Sequence, residues 1–163
     1  MQKFSLSGFA RVRVAENGKI IGDSGWLKNT ITDYGLDECI GQCIVGGAGS
    51  KRVSAIALGE GTAPATDDGT ATLDQEIVAT NSDAIRQAYS GVTVTTNDGA
   101  GVTDRWVATF GSGDRAATYD IANIGLYSNT SGTGLMAGTT DSSTKVNTNQ
   151  DVHVTYEWQF STA

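Results

Sequence analysis

The sequence has few of the residues that most often carry out chemistry. It contains one histidine, two cysteines and one proline in 163 residues, and charged side chains make up only 18%. A structural zinc site takes four ligands, so one histidine with two cysteines predicts no metal site. No apolar run approaches the roughly 20 residues that cross a bilayer, which predicts no membrane span. The first residues alternate in polarity instead of forming one apolar stretch, which predicts no signal peptide.

Positive charge is also scarce. The chain has 11 Lys and Arg against 18 Asp and Glu, which gives a net charge of −7 and a pI near 4.5. A protein that binds nucleic acid needs a basic surface to neutralise phosphates, and an anionic membrane makes the same demand. The composition therefore predicts binding to neither partner. With no signal peptide expected, we predict that the chain folds in a cytoplasm.

Glycine is abundant, with 21 residues, and polar and apolar residues alternate over long segments. Apolar residues of one parity fill the segment 152–160, which predicts a strand with one buried face; they are Val152, Val154, Tyr156, Trp158 and Phe160. The segment 4–14 alternates in the same way, and Asn17-Gly18 then favours a tight hairpin turn. Further strands and turns recur at the spacing of a sandwich. We predict an all-β fold, an antiparallel β-sandwich, jelly-roll-like, with about eight strands.

The chain is expected to form one domain over residues 1–163, since no linker divides it and its length suffices for one core. Residues 1–7 have two interpretations. They form an extended N-terminal arm that adds a strand to a neighbouring sheet, or they complete this chain's own edge strand. Polar turns are predicted at 129–134 and 138–143, and a bend near Ala122-Asn123, where the parity of the apolar residues changes.

One segment has helical spacing and predicts a short helix over about residues 33–45. Its apolar residues recur every four positions, at Leu36, Ile40 and Ile44, with Cys39 and Cys43 beside them. Thr32 or Asp33 is the expected N-cap, and Gly46-Gly47 the expected end. Two cysteines one helical turn apart have poor disulfide geometry, so both are predicted to be buried thiols.

A glycine-rich loop, "LGEGTAP" at 58–64, resembles a phosphate-binding loop only superficially. A P-loop requires a lysine and a following helix, whereas this loop has a glutamate and a proline. We predict an ordinary corner, in which Gly59 and Gly61 adopt backbone angles closed to other residues and Pro64 fixes the exit. The acidic pair Asp67-Asp68 after it is expected to stay in water.

No motif for catalysis is present. The single histidine, His153, falls on the polar face of a predicted strand, and there is no G-x-S-x-G sequence. The acidic pairs 67–68 and 33/37 suit turns and helix ends, because no aromatic-lined cleft accompanies them. We predict no catalytic, cofactor-binding or metal-binding residue, and a protein that is not an enzyme. Trp106 and Trp158 share parity with apolar neighbours and are expected in the core, which leaves Trp26 as the aromatic candidate for a contact.

Four segments together carry a resemblance: "KNTITDYGLDECI", "IALGEGTAPATDDGTATLDQEI", "WVATF" leading to "YDIANIGLYS", and "DVHVTYEWQF". Their order, from about Lys28 to Phe160, resembles small virion surface proteins of tailed bacteriophages. The motifs are corners and strands, and none of them is a catalytic position. The resemblance implies a β-sandwich on the virion surface, such as a capsid decoration (cement) protein, a head-fibre base or a tail-associated protein.

On that resemblance we expect a non-enzymatic protein of the capsid surface, made in the host cytoplasm and without a cofactor. Its expected partners are the major capsid protein and copies of itself, as a homotrimer on the three-fold positions of the shell. The alternative is a tail or head-fibre module that recognises a host-surface glycan, with Trp26, Asn129 and Asp141 as contacts. A small β-sandwich glycanase is a third hypothesis.

Overall fold

The computed structural model describes residues 4–41, 51–65, 72–78, 86–89, 91–97, 101–115 and 117–162. These residues contain a π-helix, Gly35–Gly41, and eleven strands: β1 Phe4–Glu16, β2 Lys19–Asp23, β3 Leu27–Lys28, β4 Thr30–Ile31, β5 Ala55–Gly59, β6 Arg86–Ala88, β7 Gly91–Asn97, β8 Gly101–Phe110, β9 Tyr119–Tyr127, β10 Leu135–Val146 and β11 Asp151–Thr162. Eight of the eleven have five residues or more, in agreement with the predicted number.

The strands form two packed antiparallel sheets. Sheet I has the order β2-β1-β11-β8-β7, with β3 also paired to β1, and sheet II has the order β4-β10-β9-β5-β6. The two long alternating segments predicted from the sequence, β1 and β11, lie side by side from Phe4 opposite Thr162 to Ala15 opposite Asp151. The predicted all-β sandwich is confirmed. No helix in the described part of the chain is long and apolar enough to cross a membrane.

The core lies between the inner faces of the two sheets. Sheet I contributes the even-numbered residues of β1, β8 and β11, with Phe110, Tyr156 and Trp158 among the largest buried side chains. Trp106 and Trp158 contact each other edge to face, with ring centroids 5.6 Å apart. Their predicted core position is confirmed, and such a pair adds about 0.5–1.5 kcal/mol beyond the area that it buries.

The centre of sheet II, at β5 and the second half of β9, is buried on both faces. A second apolar cluster covers its outer face and consists of Ala55, Ala57, Leu73, Tyr127 and Leu135. The segment after β5 supplies Leu73, which lies 3 % exposed against this face. A strand covered on both sides needs apolar residues at every position, and β5 is therefore the continuous run Ala-Ile-Ala-Leu-Gly.

The turn chemistry agrees with the sequence at one corner and not at another. Asn17 and Gly18 have φ of 51° and 76°, as the predicted hairpin turn between β1 and β2 requires. The predicted polar turn at 138–143 is wrong, because these residues lie within β10. Threonine favours strands, and the polar run therefore stays within β10, where the register against β9 shifts between Thr140 and Thr144. That irregularity pairs with β9 at the bend predicted near Ala122-Asn123.

The helix begins where the sequence predicted. The Thr32 hydroxyl accepts a hydrogen bond from the Gly35 backbone N–H at 3.1 Å, which caps the first turn. Gly35 lies directly against the Met136 backbone, where a Cβ would collide with the carbonyl oxygen. The residues Cys43, Ile44 and Gly46-Gly47 lie outside the described residues.

Residues 4–7 belong to the chain's own sheet. They pair with β11 of the same chain, with Ser5 opposite Ser161 and Leu6 opposite Phe160. The rest of the predicted N-terminal arm, residues 1–3, lies outside the described residues. The start of β1 and the end of β11 are therefore neighbours at one end of sheet I.

Candidate interaction surface

The glycine-rich corner is closed by its own chain. The backbone N–H groups of Glu60 and Gly61 donate to the carbonyls of Gln75 and Asp74 at 3.1 and 3.2 Å. The Thr62 N–H and hydroxyl both donate to the Asp74 carboxylate, at 3.0 and 3.2 Å. A phosphate cradle needs such N–H groups free to face a ligand. In this loop those N–H groups already bond to the chain itself, so the loop is a structural corner and not a phosphate site.

The reason for glycine at this corner differs from the one predicted. Neither Gly59 nor Gly61 has a positive φ, so the expectation of special backbone angles is wrong. A Cβ at Gly59 would instead collide with the Asn123 amide and lie 2.8 Å from the Asp74 carbonyl oxygen, and a Cβ at Gly61 would collide with the Asp74 carboxylate. Close approach of two chain segments demands glycine here. The acidic pair 67–68 lies outside the described residues.

A buried ion pair fastens the same segment to sheet II. The guanidinium of Arg86 donates to both oxygens of Glu76, at 2.7 and 2.9 Å, and both side chains are almost fully buried. The guanidinium also stacks 3.6 Å above the ring of Tyr127 and donates to the Asn129 amide oxygen at 3.1 Å. Burial raises the pKa of Tyr127, whose hydroxyl donates to Glu76. Sequence reasoning missed this cluster, because Glu76 and Arg86 belong to no motif.

A second buried cation stabilises the opposite loops. Arg115 is 4 % exposed and its guanidinium donates to the carbonyl oxygens of Phe110, Gly111, Asn147 and Gln150. Burial lowers the pKa of Arg115, while nearby carboxylates raise it. Through these bonds the residue links two turns.

The other residues considered for catalysis or metal binding lie on different elements. His153 lies half-buried on the outer face of β11, with its Nδ1 3.0 Å from the Thr109 hydroxyl oxygen. Cys39 lies half-buried in the π-helix, which differs from the buried thiol predicted, and Asp33 and Asp37 are exposed there. Among the described residues no three His, Cys, Asp or Glu side chains come together in a way that could hold a metal.

The three residues expected to bind a glycan lie on separate elements of the fold. Trp26 is 45 % exposed beside sheet I, with the Arg11 guanidinium 5.9 Å from its ring centre. Asn129 follows β9 of sheet II, where it is held by Arg86 and by the Thr133 carbonyl. Asp141 is in the middle of β10 and not in the predicted turn. Each belongs to a different element.

Arg11 also forms an exposed ion pair with Asp23 of β2. The Arg11 Nε donates to the Asp23 carboxylate at 2.9 Å, and the Gly25 N–H donates to the same carboxylate at 2.9 Å. The hydrogen bond from Arg11, then the one from Gly25, lowers the pKa of Asp23 to about 2. The pair fixes the β1–β2 edge beside Trp26.

Sheet I continues past the core at the end where β1 begins, and its edge strand β7 lies beside that end; in both places the inner face is uncovered. Phe4 and Val94 lie on the inner-face parity, yet each is 63 % exposed. Phe4 contacts the ring of Phe160, with centroids 5.9 Å apart, and Leu6 and Val102 lie in the same row as Phe160. We call this surface the open end; it consists of Phe4, Leu6, Val94, Val102 and Phe160. Large exposed apolar groups gathered in one patch indicate an interaction site.

The backbone at the open end is also unpaired on one side. Beyond residues 4–7, the outer edge of β1 first finds a partner at Gly8, whose carbonyl accepts the Asn29 N–H at 2.9 Å. The described residues supply no strand alongside Phe4 and Leu6 on that edge. A free strand edge next to an apolar face is a surface on which another chain can pair.

One carboxylate lies within this apolar face. Asp104 of β8 is opposite Trp158 on one side and Val94 on the other, and thus shares the inner-face parity. It has no ion pair among the described residues. Burial raises the pKa of Asp104.

Known proteins give no further guide. No protein-family model matches this chain, and neither a curated protein nor a solved structure does.

The geometry alone therefore defines what the surface can do. Most polar groups of the clusters described above bond within the chain, whereas the open end offers apolar area, a free strand edge and one carboxylate without an ion pair among the described residues. That combination suits contact with another protein chain.

Proposed function

We propose that this protein is a non-enzymatic structural component of a tailed-phage particle, a capsid decoration (cement) protein that acts through protein–protein contacts. The observation that carries the proposal is the open end, where Phe4 and Val94 remain 63 % exposed although they continue the core-facing side of sheet I. The resemblance of the four sequence segments supports the virion assignment. The proposed location is the outer capsid surface, after synthesis in the host cytoplasm.

The mechanism follows from burial. Full burial of one phenylalanine or valine side chain contributes about 1.5–3 kcal/mol. A module that covers its open end against a neighbour therefore gains several kcal/mol per copy, and a shell carries many copies. The proposed neighbours are the major capsid protein and further copies of this chain, assembled as a homotrimer. The added contacts would resist the outward pressure of packaged DNA.

The alternative is a tail or head-fibre module that binds a host-surface glycan. The exposed ring of Trp26 favours it, since sugars stack on exposed aromatic rings. Arg11 lies over that ring, and the other two residues expected to bind glycan lie on separate elements. This arrangement offers one aromatic contact without the converging polar groups of a specific site.

Quantifying the protein in purified particles tests the proposal. We expect a copy number comparable to that of the major capsid protein, and loss of particle stability to heat when the protein is removed. A few copies at a tail tip would support the glycan-binding alternative. Absence from particles, or release of sugars from host glycans by the purified protein, would overturn the structural role.

A further inference from the structure

A second exposed apolar surface lies at the opposite end of sheet I from the open end. It belongs to β2, in which Ile20 and Ile21 are 43 % and 52 % exposed and Lys19 precedes them at the surface. We call Lys19, Ile20 and Ile21 the β2 ridge. The pairing of β1 with β2 shifts between Val14 and Ala15, so that Ile21 is an extra residue between Ile20 and Gly22.

The β2 ridge is also a sheet edge. The strand is the last one in sheet I, and the described residues provide no partner on its outer side. Natural proteins usually protect a short edge strand with charge or cover it with another element. Two adjacent exposed isoleucines on such an edge indicate that another chain covers it.

One molecule cannot join its own two surfaces. The open end includes Phe4, and the ridge pairs with Ala15 and Glu16 at the other end of the same strand. About 11 residue steps of about 3.4 Å separate them, or roughly 35 Å along a rigid strand. A contact between the surfaces must therefore be made between copies.

Each surface has a charged side chain of opposite sign to the other. Asp104 lies opposite Val94 of the open end, and Lys19 stands beside Ile20 and opposite Glu16. Neither charge has an ion-pair partner within the part of the chain that the structure describes. An unpaired carboxylate covered by a neighbour would lose its water, which is favourable only if that neighbour brings a cation.

We propose that the β2 ridge of one copy docks on the open end of the next, with Ile20 and Ile21 packing against its apolar residues and with Lys19 pairing with Asp104. This contact joins unlike surfaces and therefore repeats head to tail, closing into a ring if the rotation between copies permits. It deepens the proposed function, which assigns the assembly to a capsid, but the contact itself belongs to the purified chain.

The experiment mixes two variants that each lose one surface. Phe4→Ser with Val94→Ser removes apolar area from the open end, and Ile20→Thr with Ile21→Thr removes it from the ridge. Masses are measured by sedimentation up to about 100 μM. We expect the wild type to associate, each variant alone to stay at 16.9 kDa, and their equimolar mixture to form a dimer of twice that mass. Each partner then supplies the surface that the other lacks. Thermal unfolding of each variant verifies its fold.

A charge exchange gives an independent measurement that leaves the apolar residues in place. Lys19→Glu and Asp104→Lys are each expected to weaken association by about tenfold or more, and the double variant to recover most of it. A wild type that stays monomeric would overturn the proposal, as would a mixture of surface variants that does not associate. Stronger association of Asp104→Asn would also overturn it, since the carboxylate would then keep copies apart.

These outcomes are separate from those of the particle test. A chain that assembles head to tail but is absent from virions keeps the contact and loses the capsid role. Association that does not stop at three copies contradicts the homotrimer and leaves the contact standing.

Discussion

The glycine-rich corner and the open end of sheet I show two opposite ways of treating a sheet face. At the corner, the chain folds back over sheet II, places Leu73 on its outer face and satisfies Glu76, Arg86 and Tyr127 with one another. At the open end, the start of β1 and the edge strand β7 are not covered by sheet II, which leaves Phe4 and Val94 in water. The chain covers the sheet face in the first region and leaves it uncovered in the second.

The difference indicates where partners should be sought. A buried polar cluster whose members bond to one another adds rigidity but gives nothing to a ligand. An apolar face without a cover costs solubility, and a protein retains it when another chain covers it. Changes at the corner should therefore affect folding, and changes at the open end should affect assembly. The following predictions test that division.

The largest effect is expected from Glu76→Gln. It leaves the Arg86 guanidinium buried against Tyr127 without its counter-charge, and breaking a buried pair in this way costs about 3–5 kcal/mol. Chemical denaturation measures the change in free energy of unfolding. Arg11→Gln is the matched control, because its ion pair with Asp23 is exposed, and it should change stability far less. Equal losses of unfolding free energy in both variants would contradict the conclusion that the buried pair stabilises the corner.

Gly59→Val should cost about 1–3 kcal/mol, since the added side chain collides with Asn123 and the Asp74 carbonyl. Gly113→Val is the control, because a Cβ at that turn residue meets no atom within 4 Å and its φ is not positive. Thermal unfolding of the two variants compares them directly. A Gly59→Val protein as stable as Gly113→Val would show that the two segments do not approach as closely as described.

At the open end, Asp104→Asn should change the pH dependence of folding. Because burial raises the pKa of Asp104, the folded protein binds a proton more readily than the unfolded chain between the ordinary value, about 3.9, and the raised one. The wild type should therefore gain stability relative to Asp104→Asn as pH falls through that window. Urea unfolding at several pH values measures the difference. A constant difference from neutral pH to pH 4 would mean that the carboxylate is not buried.

The smallest effect is expected from Asp23→Asn, which serves as a reference outside both regions. The pKa of Asp23 is lowered to about 2, so its contribution to stability is complete above about pH 4 and is lost as pH falls toward 2. The wild type should lose more stability than Asp23→Asn over that range. Because the pair is exposed, salt should reduce the effect. An effect independent of salt would contradict the exposed geometry.

Much of the fold could be predicted from local patterns in the sequence. Strict alternation determined β1 and β11, and Asn17-Gly18 determined the hairpin, because parity and positive φ are properties of neighbouring residues. The polar run 138–143 was predicted as a turn but continues a strand, since pairing with β9 outweighs its composition.

The candidate surface could be predicted only in part. Phe4, Val94 and Phe160 alternate in the same way as core residues, and nothing local tells that sheet II stops before it covers them. Nothing in the sequence distinguishes Asp104 from the other acidic residues, because only its position opposite Trp158 places it on the apolar face. The pair formed by Glu76 and Arg86 depends on tertiary contacts for the same reason.

The pairing of Phe4 with Thr162 has a practical consequence for handling the protein. A purification tag or fluorescent fusion joined directly to Phe4 or Thr162 would start beside Phe160 and compete sterically with an incoming subunit. Labels are better inserted at the exposed loop around Gly132, on the other sheet. A linker of a few residues could also connect the two neighbouring strands, and new ends opened in that loop would give a circular permutant with an unencumbered face.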